Sequence, residues 1–446
     1  MRPLYLLLKL SLTYSLRLFY RQRIVINPHK ERYGATIYVS NHPNSFMDPL
    51  LIGHTNKPVV HFMTRSDVFK WWLKPILWAS HMLPIYRQHD GEDTKSKNSD
   101  AFQEVNKHLR KRNNILIFGE GFTDDVPIRS LKPVKKGAIR MGFQALEQLN
   151  WESKIYISAL GVNYSDRNTI GSDFVLMNSD KICLNDYKEA YLASKAKVVN
   201  EITKRVEREM QGCIIYVKDK HWFSLHENIM KITRKGFNNE SYDPELSLES
   251  RFRYGQKLAA WVNEHSVEDE KLNNLKKELD GYFALLKRMK IEDQYIYEAA
   301  KNKKLNTVQD LAWLLMFWPL ALFGAINGFL PFIAAKKITE KLMRRKVFWG
   351  SVKMMLGKLL GTLFVLPIAF ILMAYLVPPS WPGYIYYLLV FAYFLIVPEF
   401  WRLSYEYGRI FRRWRTKRVI AKADLSRFIQ KRQELELLIK NTVPEM

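Results

Sequence analysis

The 446-residue chain carries 69 Lys and Arg against 44 Asp and Glu, a net charge of +25, with 48% hydrophobic and 13% aromatic residues. That composition excludes a disordered tail and a collagen-like rod, and the length allows two or three domains with a sizeable core. Two cysteines, Cys183 and Cys213, exclude a disulfide framework, and the positive surplus calls for an anionic partner: nucleic acid, a phosphorylated substrate or an anionic membrane face.

In chain order, Met1–Arg23 mixes leucines with Lys9, Arg17, Arg21 and Arg23. Lys9 interrupts the apolar run and no small-x-small cleavage site follows, so residues 1–24 read as an amphipathic helix on a membrane surface rather than a removed signal peptide. Residues 25–220 form the next unit. Apolar, β-rich runs at Thr36–Ser40, Val59–Met63, Ile115–Phe118, Ile155–Tyr164, Asp173–Met177 and Cys213–Val217 alternate with helical patterns at Ser99–Arg112, Gly137–Leu149 and Ser194–Met210. Such alternation predicts an α/β domain, a mixed sheet flanked by helices. Residues 240–305 are charged and periodic, with Leu272, Leu275, Leu279, Phe283 and Leu286 spaced as one helix face, and residues 221–310 read as a helical insert.

The hydropathy is concentrated at the C-terminal end. Leu311–Ala335 holds 25 residues without a charge, and Leu359–Pro398 holds 40 more, broken by Pro378-Pro379-Ser380-Trp381-Pro382-Gly383. A helix rises about 1.5 Å per residue, so Leu359–Val377 covers a bilayer core of roughly 30 Å. Lys301, Lys303 and Lys304 precede the first run, and Lys336, Lys337, Lys341, Arg344, Arg345 and Lys346 follow it. With basic clusters on both flanks, and Gly324, Asn327, Gly328 and Pro331 inside, residues 311–346 are expected to bend back as a re-entrant or interfacial hairpin. Residues 347–401 then form two membrane helices with the Pro-Trp-Gly turn outside, and 402–446 a basic cytoplasmic helical tail.

Four short blocks carry candidate chemistry. In Tyr38-Val39-Ser40-Asn41-His42-Pro43-Asn44-Ser45-Phe46-Met47-Asp48-Pro49, a β-run ends at Ser40 and Pro43 is placed to start a helix. His42 thus falls at a strand-to-helix turn, where Asp48 can reach back, hold Nδ1–H and leave Nε2 as a base for a hydroxyl. Taken alone, such a pair is more often a helix cap and a solvated carboxylate. Ile117-Phe118-Gly119-Glu120-Gly121 is a strand end whose Gly-flanked carboxylate and exposed amides suit a hydroxyl or an oxyanion. Arg87, after Leu83-Pro84-Ile85-Tyr86, offers a fork for phosphate. Lys135 and Lys136 stand just before a helical segment. Taken singly, each of these cations is ordinary surface charge.

Together, His42…Asp48, Pro84-Ile85-Tyr86-Arg87, Phe118-Gly119-Glu120-Gly121 and Leu160-Gly161-Val162-Asn163-Tyr164 resemble, in order, the phospholipid/glycerol acyltransferase family over about residues 25–220. That family includes lysophosphatidic acid and glycerol-3-phosphate acyltransferases. Trp318-Pro319-Leu320-Ala321-Leu322-Phe323-Gly324, with Asn327 and Pro331, resembles its branch with C-terminal membrane segments. Asn44-Ser45-Phe46-Met47-Asp48-Pro49 resembles the fungal-type glycerol-3-phosphate/dihydroxyacetone-phosphate acyltransferases. Two departures stand out: five residues rather than four separate His42 from Asp48, and Gly119-Glu120-Gly121-Phe122-Thr123-Asp124 replaces Pro-Glu-Gly-Thr-Arg-Ser. Glu120 and Gly121 carry over while the arginine does not, leaving Arg129 or Lys136 to supply its charge.

The resemblance implies an α/β acyltransferase domain with a helical insert and C-terminal membrane helices. His42 and Asp48 would be catalytic, and Arg87, Glu120, Gly121, Lys135 and Lys136 would bind substrate. The donor would be an acyl thioester, acyl-CoA or acyl carrier protein. The acceptor would be a glycerol phosphate or lyso-lipid at an anionic membrane, with no metal, no bound cofactor and the catalytic domain facing the cytoplasm. A non-catalytic lipid-binding surface protein is the competing reading, but it leaves the ordered blocks unexplained. Nucleic-acid binding ranks third, because the charge lies beside the apolar runs and no zinc spacing or RNA-recognition aromatic block occurs.

Overall fold

The computed structural model describes residues 3–29, 35–55, 60–66, 69–71, 74–85, 94–121, 129–301, 307–420 and 424–445. The first helix, α1 (Pro3–Phe19), passes directly into strand β1 (Tyr20–Ile26). The helix expected through Arg23 therefore ends early. The β-branched run Ile24-Val25-Ile26 favours a strand, and Arg21 reaches out to a buried carboxylate on another strand, bonding Asp173 at 2.5 and 3.0 Å.

Seven more strands follow among the described residues: β2 (Ala35–Ser40), β3 (Val60–Arg65), β4 (Met82–Ile85), β5 (Asn114–Phe118), β6 (Ile155–Tyr164), β7 (Ser172–Asn178) and β8 (Ile182–Cys183). The helices between and after them are α2 (Met47–Thr55), α3 (Lys74–Ala79), α4 (Thr94–Arg110), α5 (Gly137–Gln148), α6 (Lys188–Ala193) and α7 (Lys195–Cys213). The sheet runs β1-β7-β6-β2-β5-β3-β4, with β8 also on β6. Strands β6, β2, β5, β3 and β4 are mutually parallel, while β7 and β8 pair antiparallel with β6. The sheet is mixed, as its sequence predicts.

All six residues of β2 are buried, the pattern of a central strand covered on both faces. Helix α5 lays Ala138, Ile139, Met141, Phe143, Ala145 and Leu146 onto one core, which α7 completes with Val198, Val199, Ile202, Val206 and Met210. Each such side chain taken from water contributes roughly 1.5–3 kcal/mol for the larger residues. The strand expected at Cys213–Val217 is absent: α7 runs to Cys213, and the following backbone finds its partners elsewhere, Ile215 N–H on Asn163 Oδ1 (3.1 Å) and Val217 N–H on the Arg129 carbonyl (2.8 Å).

The chain divides into two compact units, Met1–Phe223 with Ser247–Glu264, and Ser224–Leu246 with His265–Met446. The stretch 221–310 is therefore not one insert. After α8 (Phe223–Thr233), helix α9 (Leu248–Asn263) belongs to the sheet's unit, where buried Arg251 donates to Asp173 (3.1 Å). The second unit contains α10 (Glu270–Met289), α11 (Asp293–Ala300), α12 (Thr307–Leu342), α13 (Trp349–Leu376), α14 (Gly383–Ile420) and α15 (Ser426–Thr442). In α10 the buried stripe is Leu272, Leu275, Leu279, Tyr282 and Leu286, with Tyr282 rather than Phe283 turned inward.

Three helices among the described residues are long and apolar enough to cross a membrane: Thr307–Leu342, Lys346–Leu376 and Gly383–Ile420. The hairpin expected within 311–346 does not form, because α12 continues unbroken through Pro319 and Pro331. Its small residues serve close approach instead of a bend. A Cβ on Gly324 would lie 2.0 Å from the Phe400 carbonyl oxygen, and one on Gly328 would lie 1.8 Å from the Trp401 ring. Tyr393 Oη donates to Asn327 Oδ1 (2.9 Å) and Ser404 Oγ to the Ala321 carbonyl (2.5 Å), while Arg413 pairs with Asp310. These contacts set α12 and α14 antiparallel, with Asp310 and Arg413 at one end of the pair and Lys336–Lys341 at the other. The basic flanks of α12 thus lie at opposite ends of one continuous helix, contrary to the single-sided expectation. The tail is also different from expectation: α14 carries Arg402–Arg418 as its own continuation, and α15 docks against α10 and α11 through Lys431–Glu278 and Arg432–Asp293.

Candidate active site

Strand β2 ends at Ser40, level with Phe118 of β5 and Leu160 of β6. The chain leaves the sheet here, and side chains take over the ladder. Ser40 Oγ donates to the Leu160 carbonyl (2.8 Å), and the Asn41 amide imitates a peptide, accepting from Val162 N–H (2.8 Å) and donating to the Val162 carbonyl (3.0 Å). The backbone is thereby released at His42, at the carboxyl edge of adjacent parallel strands, where α/β sheets display ligand-binding groups.

Pro43 does not start the helix as the sequence predicts. Two turns come first, Met47 N–H on the Asn44 carbonyl (2.9 Å) and Asp48 N–H on the Ser45 carbonyl (3.3 Å), with Ser45 in the left-handed region at φ 46°. These turns accommodate the fifth intervening residue. Asp48 falls in the first turn of α2 and reaches back: its Oδ2 accepts from His42 Nδ1 (2.8 Å, with the Nδ1–H tautomer) and from Asn44 N–H (2.8 Å). Its Oδ1 accepts from Tyr164 Oη at 2.6 Å. Three donors hold a carboxylate that is wholly buried, while the His42 side chain keeps 18% exposure. The imidazole lies flat on Phe118, with ring centroids 3.9 Å apart and planes at 17°. Burial, and secondarily the charge on Asp48, push the Tyr164 phenol far above its usual value, so it remains a donor at neutral pH.

Glu120 follows β5 and is also buried. Burial raises its carboxyl to about 7, with a further push from Asp48, against the opposing charge of Lys132 and hydrogen bonds from the backbone N–H groups of Lys132 and His42. It therefore braces the backbone that carries the histidine. Since this pKa lies above the 4.5 of an ordinary glutamate, the folded state holds the proton more tightly. This group's contribution to stability should accordingly be fullest below about pH 4.5 and be lost as pH rises through 7, on the order of 3 kcal/mol in all. Unfolding of wild type and Glu120→Gln in micelles from pH 4.5 to 8 checks this; parallel pH profiles would mean the carboxyl is not held as described.

The remaining candidates separate. Gly121 has φ 77°, a conformation that favours glycine, and a Cβ there would come 2.5 Å from Lys135 Nζ. Gly121 and Lys135 are thus brought together, whereas Lys136 sits exposed before α5. Arg129 is buried, with Nη1 3.4 Å from the Tyr164 carbonyl. Arg87 lies outside the described residues. Among the described residues no group of three His, Cys, Asp or Glu side chains is placed to hold a metal ion.

A family model described as Acyltransferase matches residues 22–162, the stretch that holds His42, Asp48 and Glu120. That stretch matches an acyltransferase-family domain. Glycerol-3-phosphate O-acyltransferase 2 of Saccharomyces cerevisiae is 24% identical over 276 residues, covering 60% of this chain and 36% of the yeast protein. Glycerol-3-phosphate O-acyltransferase 1 of the same organism is 24% identical over 275 residues, covering 60% and 35%. The chain thus spans about a third of the length of these relatives. The crystal structure of the 1-acyl-sn-glycerophosphate (LPA) acyltransferase PlsC from Thermotoga maritima aligns with 47% of this chain and 84% of that one, at 16% identity and a TM-score of 0.31. The mixed α/β architecture of the acyltransferase domain rests on the sheet register itself.

Sequence reasoning missed three groups of this domain's site: Asn41 as the splice to β6, Asn44 N–H as a second donor to Asp48, and Tyr164 as the third. Tyr164 lies in the fourth motif block, but nothing local to it signals a partner 116 residues away.

Proposed function

We propose that this chain is a membrane-bound O-acyltransferase that moves a fatty acyl group from acyl-CoA or acyl carrier protein to a hydroxyl of glycerol 3-phosphate or 1-acylglycerol 3-phosphate. The observation that carries the reading is the His42–Asp48 contact of 2.8 Å at the carboxyl edge of the sheet. With Nδ1–H held by Asp48, Nε2 takes the acceptor's hydroxyl proton as its oxygen attacks the thioester carbonyl. The tetrahedral intermediate collapses, the C–S bond breaks, and the imidazolium returns the proton to the leaving thiolate. Asp48 stabilises the imidazolium between the two steps. Backbone amides near Gly121 or at the helix N-terminus are the oxyanion donors in this scheme. Since Gly121 N–H is given to the Phe118 carbonyl (3.1 Å), the helix N-terminus is the better placed, and Glu120 keeps His42 in place. Lys135 at Gly121, with Lys136 and Arg87, supplies the positive charge for the acceptor phosphate. No step calls on a metal or a redox cofactor.

The reading draws support from the acyltransferase domain, from the printed activities of the yeast relatives and from the three apolar helices. It places the catalytic domain on the cytoplasmic side. The test supplies membrane-impermeant labelled acyl-CoA to sealed vesicles of either orientation, with glycerol 3-phosphate, 1-acylglycerol 3-phosphate or other lyso-lipids as acceptor. Labelled lipid is expected only when the donor meets the cytoplasmic face. Product from the opposite face would reverse the orientation. Acyl-CoA binding without product from any acceptor would favour the non-catalytic lipid-binding alternative.

A further inference from the structure

Among the described residues of the sheet's unit, one segment gathers three exposed large apolar side chains. Between β3 and β4, Trp71 is 86% exposed, Trp78 61% and Ile76 47%. Two tryptophans so open to solvent are costly in water and are the residues favoured where a bilayer meets water. The stretch 69–85 contains Lys70 and Lys74, both exposed, and no Asp or Glu. The neighbouring element repeats the pattern. Helix α1 turns Tyr5, Leu16 and Phe19 inward and leaves Leu6 and Leu10 exposed one turn apart, again with no acidic residue along its length. The Tyr5 ring meets the His81 ring edge-on at 4.6 Å, joining α1 to the end of the Trp71–Trp78 segment.

We propose that Trp71, Ile76 and Trp78 form an interfacial anchor by which the acyltransferase domain itself seats on an anionic bilayer. The segment that carries the anchor meets α1 through the edge-on contact of Tyr5 with His81. Its chemistry fits that occupant: indoles and an isoleucine to enter the headgroup boundary, lysines to meet lipid phosphates, and no carboxylate to repel them. Trp71 follows the carboxyl end of β3, the edge of the sheet that displays His42, and the chain then returns through α3, with Ile76 and Trp78, to the start of β4 level with Phe62.

The inference rests on the membrane reading above, and the experiment separates the two. In a Cys183→Ser, Cys213→Ala background, the full chain is made as Trp71→Cys, Trp78→Cys and Leu192→Cys. Each variant is labelled with an environment-sensitive fluorophore and reconstituted into phosphatidylcholine vesicles with or without phosphatidylglycerol. Leu192, 58% exposed on α6, is the solvent control. Labels at 71 and 78 are expected to shift to the blue and to be quenched by shallow spin-labelled lipid roughly threefold more than the label at 192, with a stronger effect in anionic vesicles. Quenching no greater than at 192, in a chain that resists carbonate extraction, would overturn the anchor and leave the membrane reading intact. Carbonate release of the chain would overturn the membrane reading itself. A blue shift that appears in lipid-free micelles and grows with protein concentration would assign the patch to a second copy and overturn the proposal.

Discussion

Replacing His42 with alanine is expected to lower acyl transfer by about a hundred- to ten-thousandfold, since the proposed mechanism has one general base and such groups contribute roughly 10²–10⁴ in rate. The fold should survive. The ring is partly exposed and stacked on Phe118 rather than packed in the core, and its loss leaves Asp48 with two donors, Asn44 N–H and Tyr164 Oη. The buried carboxylate therefore remains hydrogen-bonded, and the usual penalty for an abandoned charge is avoided. Steady-state acyl transfer with labelled acyl-CoA, alongside circular dichroism and carbonate extraction, separates the outcomes. Near-normal turnover in a folded variant would remove His42 from the chemistry.

Arg432→Ala is expected to produce the largest loss of stability outside the site. The guanidinium, 1% exposed, donates from Nε to Asp293 Oδ1 (2.9 Å) and from Nη2 to the Ile232 carbonyl (2.8 Å), pairs with Glu436, and lies 4.9 Å from the Tyr297 ring centroid. Truncation would leave Asp293 buried with only weaker donors, Tyr282 Oη at 2.8 Å and Ser241 Oγ at 3.4 Å. Breaking one side of a buried ion pair costs about 3–5 kcal/mol. The adjacent Lys431–Glu278 pair is more than a third exposed on both sides, and Lys431→Ala should cost less than about 1 kcal/mol. Chemical unfolding in micelles, with limited proteolysis reporting on α15, compares the two. Equal losses would mean that burial does not set the strength of this contact.

The parts of this molecule readable from sequence are those whose signal is local. The run Thr36–Ser40 is apolar and β-branched, so it reads as a strand. His42-Pro43 marks its exit, and Asp48 lies within reach because only a short turn intervenes. Tyr20–Ile26 failed as a prediction because Arg21 and Arg23 look like the polar face of a helix until Asp173 is seen to receive Arg21. Gly324, Gly328 and Pro331 look like hinge residues in isolation. They become a packing face only once Phe400 and Trp401 are set against the two glycines.

By itself, then, the sequence determined the alternation of strands and helices, the strand-end placement of the histidine, the approach of its aspartate and the presence of long apolar helices. These depend on residue type and spacing within one turn or one strand. Only the tertiary structure decided that Tyr164 completes the hold on Asp48, that Glu120 is buried behind His42 instead of facing solvent, and that α12 is continuous. Each of those depends on groups far apart in the chain meeting where water is excluded, and a carboxyl's ionisation or a glycine's role is set by that meeting, not by its neighbours in sequence.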